Sequence, residues 1–210
     1  AATPETVKKL SAGGNQVLVQ AGAGRQASFP DEAYAAAGAT LMPDAAQVYA
    51  QAELVLKVQA PQESELALLR AGQILLGMLN PFDAEGLEKL AATGVTGFSL
   101  EAAPRITRAQ SLDVLSSQAN IAGYKAVIVA ADHYGRFMPM LMTAAGTVKA
   151  ARVVVLGAGV AGLQAIATAK RLGAVVEASD VRPAAKEQIE SLGAKFIDVP
   201  YETDEEREIA

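Results

Sequence analysis

The 210 residues carry a net charge of −5, with 51% hydrophobic and 20% charged side chains, no cysteine and one histidine. This composition excludes a disordered chain, a disulfide framework and a thiolate or histidine-rich metal site, so we expect no metal. It also argues against a nucleic-acid partner, because an acidic protein gains nothing from displacing phosphate counterions, and no uncharged apolar run approaches the roughly 20 residues of a membrane-spanning helix.

The first hundred residues alternate helical segments with short apolar runs. Thr3-Pro4-Glu5 predicts a helix start, because a hydroxyl can cap the helix and proline suits its first position. Further helices are predicted at residues 30–37, 45–52, 62–70 and 83–92, and strands at 16–20, 54–58, 73–79 and 96–100. Such alternation predicts βαβ units and a mostly parallel sheet, so the fold class is α/β.

One long helix is predicted over residues 111–134, ending near Gly135. A helix of that length can link two domains or line the cleft between them. We therefore predict two domains with mostly parallel sheets, residues 1–104 and residues 105–210. The charged run at residues 203–208 is interpreted as solvated surface.

A glycine-rich turn follows the strand predicted at residues 152–156. Gly157, Gly159 and Gly162 form the pattern G-x-G-x-x-G, and a helix to about residue 172 and a strand at 175–178 follow. The first glycine allows a tight turn, the second lets a pyrophosphate approach the backbone, and the third lets the helix pack against the strand. The helix N-terminus offers free N–H groups to the phosphates, so this segment predicts dinucleotide binding.

Asp180 ends the second strand, near the spacing expected for the carboxylate that bonds the ribose hydroxyls. A carboxylate there repels a 2′-phosphate, which favours NAD(H) over NADP(H). Arg182 can soften that exclusion, although a surface charge is the simpler interpretation. A helix at residues 183–192 and a strand at 195–199 complete one βαβαβ half, so the Rossmann fold is incomplete in this chain.

The sequence resembles the NAD(H)-binding first domain, in the alpha subunit, of proton-translocating NAD(P) transhydrogenase, of the alanine dehydrogenase/transhydrogenase family. The resemblance covers the whole chain and rests on five segments besides the glycine turn: 104–113 (PRITRAQSLD), 115–120 (LSSQAN), 122–124 (AGY), 142–147 (MTAAGT) and 165–174 (AIATAKRLGA). In the family, a short strand precedes the segment at residues 1–4 and the chain continues past residue 210.

By that resemblance, Arg105, Gln110 and Asp113 belong to the loop that holds the nicotinamide, and Ser116 bonds its carboxamide. Together with the glycine pattern, this predicts cofactor contacts from Gly157, Gly159, Val160, Ala161, Gly162, Asp180, Val181 and Arg182. Hydride transfer needs no nucleophile or metal, only two C4 atoms held close together. Without the resemblance, residues 105–113 are interpreted as a helix N-terminus with Ser111 as its cap.

The resemblance further implies the reaction and its partners. It implies direct hydride transfer between NAD(H) on this chain and NADP(H) on a partner domain. It also implies a homodimer docked on a membrane-embedded, proton-conducting subunit, on the cytoplasmic side of a bacterial inner membrane.

Alanine dehydrogenase shares this architecture and is the main alternative. It binds its keto acid through a strand lysine, and Lys57 stands at that place. It also needs a histidine as acid–base catalyst after the next strand, where this sequence has Asn80, and an amide cannot exchange a proton near neutral pH. His133 is interpreted as a solvated, helix-terminal side chain. A non-catalytic NAD-binding module is a further alternative, because a fold does not settle function.

Overall fold

The computed structural model describes residues 1–199, so the charged run predicted at 203–208 lies outside the described residues. The chain divides into two compact units, Ala1–Asp113 and a second that begins at Val114. Both are mixed α/β with mostly parallel sheets, as the sequence predicts. The division into domains at residues 104 and 105 stays a prediction.

The first unit contains a two-stranded and a three-stranded sheet. In chain order its elements are α1 (Pro4–Ala12), β1 (Leu18–Gln20), α2 (Asp31–Ala36), β2 (Thr40–Met42), α3 (Ala45–Gln51), β3 (Leu54–Gln59), α4 (Glu63–Leu66), β4 (Ile74–Met78), α5 (Ala84–Ala92) and β5 (Thr96–Ser99). β1 pairs with β2, and β4 lies between β3 and β5, all in parallel. Leu75 on β4 is fully buried and packs in one core with Tyr49, Val55 and Leu90. The Thr3 hydroxyl accepts the N–H of Thr6, which confirms the predicted cap of α1.

Two elements of the first unit differ from the sequence prediction. β2 was not predicted, and the helix predicted at residues 62–70 ends at Leu66. The buried Gln73 explains the early end, because its side-chain oxygen accepts the N–H of Arg70 at 3.2 Å. Its amide nitrogen donates to the carbonyls of Tyr49 and Ala52. The segment after α4 therefore continues with turn hydrogen bonds, from the N–H of Leu68 to Glu65 and of Leu69 to Leu66, and the Gln73 side chain fixes its end.

The second unit contains a parallel sheet in the order β10-β9-β8 and a small antiparallel hairpin. In chain order its elements are α6 (Val114–His133), β6 (Leu141–Thr143), β7 (Gly146–Val148), β8 (Arg152–Leu156), α7 (Val160–Arg171), β9 (Val175–Ser179), α8 (Ala185–Ser191) and β10 (Lys195–Phe196). Ile166 on α7 and Ile189 on α8 are fully buried against the sheet. This order is the strand–helix–strand–helix–strand half of a Rossmann fold that the sequence predicts.

Three details of the second unit correct the sequence prediction. The long helix begins at Val114, since Thr107–Leu112 forms a separate 3₁₀ helix, so the interpretation of Ser111 as its cap is wrong. The hairpin of β6 and β7 was not predicted, and β10 ends at Phe196.

Among residues 1–199, no helix combines the length and apolar character needed to cross a membrane.

Candidate functional site

The glycine turn between β8 and α7 is shaped to accept an anion. Gly157 has a φ of +90°, which only glycine adopts without strain, and its N–H donates to the carbonyl of Ser179 at 2.8 Å. Gly159 lies directly before α7, and no side chain caps that helix N-terminus. A Cβ placed on Gly159 would meet no atom within 4 Å. The turn therefore presents open space beside helical N–H groups and the positive end of the helix dipole, which fits a dinucleotide pyrophosphate.

Gly162 has a different task from Gly159. A Cβ at Gly162 would lie 1.8 Å from the carbonyl oxygen of Gly157, so a side chain there cannot fit. The first turn of α7 thus packs directly on the backbone of the glycine turn. Val160 and Ala161 belong to that same helical turn. The packing role predicted for the third glycine is visible in the structure, whereas the cofactor contacts of these residues remain predictions.

Asp180 connects the end of β9 to the glycine turn. Its Oδ2 accepts the backbone N–H of Ala158 at 2.6 Å, and its side chain is 6% exposed. The Arg182 guanidinium holds the pKa of Asp180 well below its usual range, although burial acts in the opposite direction. Asp180 is therefore an ionised carboxylate beside the glycine turn, where the sequence predicts the ribose-binding acid.

The helices α6 and α7 cross in close contact, which sequence reasoning missed. A Cβ at Gly123 of α6 would lie 2.1 Å from the carbonyl oxygen of Ala161, and the Asn120 side chain donates to Gln164 at 3.2 Å. Ser116 lies on the first turn of α6 and is half-buried. An isolated glycine inside a helical pattern was the one available signal of this contact.

The residues predicted to hold the nicotinamide ring lie in the first unit. Gln110 belongs to the 3₁₀ helix Thr107–Leu112, Arg105 precedes it, and Asp113 follows it. The side chains of Arg105 and Gln110 are exposed, and Asp113 is half-buried. A common site with Ser116 and the glycine turn of the second unit stays a prediction.

Comparison with known proteins identifies the family of this chain. The family described as Alanine dehydrogenase/PNT, N-terminal domain, matches residues 1–122, and its C-terminal domain counterpart matches residues 126–210. The chain belongs to the alanine dehydrogenase/PNT family.

Relatives from both branches of the alanine dehydrogenase/PNT family are similar to this chain. An NAD(P) transhydrogenase alpha subunit of Rhodospirillum rubrum is 54% identical over 96% of this chain and 54% of its own length. Alanine dehydrogenase of Mycobacterium tuberculosis is 36% identical over 93% of this chain and 53% of its own length. The chain in the crystal structure of transhydrogenase from Sinorhizobium meliloti is 55% identical in sequence, and the two structures match with a TM-score of 0.88. The match covers 94% of this chain and 59% of the S. meliloti chain. The chain spans about half the length of the curated relatives it matches.

The family makes the environment of Lys57 informative. Its ammonium pairs with the Glu65 carboxylate, which also accepts the Tyr49 hydroxyl at 3.2 Å. Burial raises the pKa of Glu65, but hydrogen bonds from Lys57 and the Gln62 N–H outweigh it, so the net shift is downward. These side chains line a cavity of about 830 Å³ in the first unit, beside β1 and β3. A carboxylate of the chain itself therefore neutralises Lys57, which the resemblance predicts to stand where alanine dehydrogenase binds its keto acid.

Asn80 is the residue predicted to stand where alanine dehydrogenase would need its histidine. It lies two residues after β4 with a φ of +54°, and its N–H donates to Glu101 at 3.0 Å. Its side chain is an amide and supplies no acid–base group. His133, at the end of α6, is 77% exposed, and its Nδ1 bonds locally to the Val129 carbonyl at 2.9 Å. The Asn80 side chain therefore supplies no acid–base group at its position after β4.

Proposed function

We propose that this chain is the NAD(H)-binding component of a nicotinamide nucleotide transhydrogenase. The glycine turn and Asp180 support NAD(H) binding, because they offer uncapped N–H groups to the phosphates and a carboxylate to the ribose. Identity is higher to the transhydrogenase subunit of R. rubrum, at 54%, than to the alanine dehydrogenase of M. tuberculosis, at 36%. The observation that carries the choice between the two activities is the amide of Asn80 at the acid–base position.

The proposed reaction is direct transfer of hydride between two nicotinamides. When both are bound, the two cofactors would supply the chemistry: a hydride would pass from C4 of NADH to C4 of NADP⁺, giving NAD⁺ and NADPH with no proton donor, nucleophile or metal required. The chain contributes orientation: the glycine turn binds the phosphates, and Ser116 bonds the carboxamide. The nicotinamide end is held by Arg105, Gln110 and Asp113. Hydride transfer also needs the second nicotinamide close by, and a partner presents it.

The proposal extends to the assembly. NADP(H) is held by a partner domain, and the chain works as a homodimer on a membrane-embedded subunit that couples transfer to proton translocation. We place it on the cytoplasmic side of a bacterial inner membrane. Support comes from the relatives' designation as alpha subunits of NAD(P) transhydrogenase.

The test uses the full-length protein with NADH and follows the nicotinamide absorbance in two mixtures. One contains an NADP⁺ analogue with its binding domain, and the other contains pyruvate and ammonium. Turnover in the first mixture alone supports transhydrogenation, whereas turnover in the second makes the protein an alanine dehydrogenase-like enzyme. NADH binding without turnover in either mixture indicates a non-catalytic binding module.

Two arginines of one segment allow a matched test of the nicotinamide loop. Arg105→Gln should lower hydride transfer by about 10- to 100-fold, because small misplacements of reacting atoms have effects of that size. Arg108→Gln removes the same charge from an exposed position three residues away and should keep near wild-type transfer. Equal losses in both variants would contradict the role of Arg105.

A further inference from the structure

The carboxylate of Asp180 has four hydrogen-bond donors around its two oxygens. Oδ1 accepts the Arg182 backbone N–H at 2.8 Å and the Arg182 Nε at 3.0 Å. Oδ2 accepts the Ala158 N–H at 2.6 Å and the Arg182 Nη2 at 3.1 Å. An ionised carboxylate offers about four acceptor positions. All of them are used by the chain itself.

Two of these donors are fixed and two can move. The N–H groups of Ala158 and Arg182 are backbone, set by the glycine turn and the end of β9. The other two belong to the Arg182 guanidinium, whose side chain is 58% exposed and also donates from Nη2 to the Ala158 carbonyl at 3.2 Å. A rotamer change of Arg182 therefore frees two acceptor positions without moving the backbone. A ribose presents two vicinal hydroxyls, so the two freed positions match its two donors.

We propose that Arg182 competes with the adenosine ribose of the cofactor for Asp180 and so sets both the affinity for NAD(H) and its selectivity. This inference rests on the proposed function and assigns one of its residues a specific role. While the guanidinium holds both carboxylate oxygens, the ribose hydroxyls have no acceptor there. The same pairing neutralises the charge that would repel a 2′-phosphate. Loss of the arginine should therefore raise the affinity for NADH, because it frees the acceptors, and lower the affinity for NADPH, because it restores the repulsion of the 2′-phosphate.

The experiment measures NADH and NADPH affinity by fluorescence titration of the full-length protein. Arg182→Gln should bind NADH about 3- to 10-fold more tightly than its control, since a hydrogen bond that need not be broken is worth about that factor. The control is Arg171→Gln, which removes the same charge at the last residue of α7, at the opposite end of the helix from the glycine turn. Arg182→Lys, with a point charge in place of a fork, should lie between wild type and Arg182→Gln. The preference for NADH over NADPH should rise in the same order.

The possible outcomes separate this inference from the function on which it rests. Tighter NADH binding and a stronger preference in Arg182→Gln, relative to Arg171→Gln, support the competition. NADH affinity that falls or equals the control would show that Arg182 serves as a ligand contact or has no role, and would overturn the inference alone. Absence of NADH binding by the wild-type protein would overturn both.

Discussion

Separate replacement of Gly159 and Gly162 by alanine tests the division of labour inside the glycine turn. Gly159 has φ −72° and ψ −169°, which alanine adopts freely, and its new methyl group would meet no atom within 4 Å. We expect Gly159→Ala to cost about 1 kcal/mol or less, the difference between a good and a poor helix N-cap. The methyl group would occupy the space that a pyrophosphate needs, at about 1–3 kcal/mol of overpacking, so NADH affinity should fall about 10- to 100-fold.

Gly162→Ala should show the opposite balance. Its Cβ would lie 1.8 Å from a backbone oxygen, about half a normal carbon contact distance, and backbone cannot rotate away as a flexible side chain can. Such overpacking costs about 3 kcal/mol or more, against about 1 kcal/mol gained because alanine is the better helix former. Gly162→Ala should therefore lower the free energy of unfolding by about 2 kcal/mol.

The two variants are compared by urea denaturation and by NADH titration of the full-length protein. Gly159→Ala should unfold near the wild-type urea concentration and bind NADH weakly, while Gly162→Ala should unfold at lower urea. Wild-type NADH affinity in Gly159→Ala would refute the assignment of the open space to the cofactor. A destabilisation of Gly159→Ala equal to that of Gly162→Ala would refute the packing argument.

Two further predictions concern the surroundings of the turn. Gly123→Ala should lower the free energy of unfolding by about 2 kcal/mol, because its Cβ would lie 2.1 Å from the Ala161 carbonyl oxygen. The control Ala122→Ser changes an exposed residue and should alter that free energy by no more than about 0.5 kcal/mol. Equal thermal stability of the two variants would contradict the close helix crossing. Arg182 lowers the pKa of Asp180 in the folded state, so the ionised carboxylate stabilises the fold above its ordinary pKa of about 4 and stops doing so as pH falls through the lowered value. The difference in free energy of unfolding between wild type and Asp180→Asn should therefore be constant from about pH 8 to 5 and become smaller in acid. If urea denaturation shows the same difference down to about pH 2.5, the lowered pKa of Asp180 is contradicted.

The segment around the glycine turn was predictable because its signals are local. β8, α7 and β9 all match the sequence prediction to within three residues at each end. β-branched runs define the strands, and glycines mark the turn between them, so neither signal depends on distant parts of the chain. The same local signals located α1, β3 and β5.

The helix contact beside the site was not predictable, because it joins distant segments. In the sequence, Gly123 is only a poor helix former inside a helical pattern, and its role is visible only once the Ala161 carbonyl is seen to contact it. Arg182 was predicted to soften the exclusion of a 2′-phosphate, with a surface charge as the simpler interpretation. Its side chain is 58% exposed, yet it pairs with the carboxylate of Asp180, two residues away, which is 6% exposed. The spacing indicated that the two residues are near each other, but not that the carboxylate is buried.

The missed hairpin has a different cause. β6 and β7 have three residues each, all of them exposed, so neither strand is long enough to show a periodic pattern or has a buried face. β2 is only three residues long, too short for any periodic signal. These elements form because the chain offers them backbone partners, and a pattern of side chains carries little information about such pairing.

The comparison of the two family activities depends on chemistry more than on identity. Lys57 alone would favour oxidation of an amino acid, because the resemblance predicts that it stands where a keto acid would bind. In the structure its charge is already neutralised by Glu65, so an incoming carboxylate would have to displace a partner that also bonds Tyr49. Asn80, which the resemblance predicts at the place of the catalytic histidine, cannot transfer a proton there, because its amide does not titrate near neutral pH. Hydride transfer between two nicotinamides requires neither group, which is why we propose it in preference to oxidation of an amino acid.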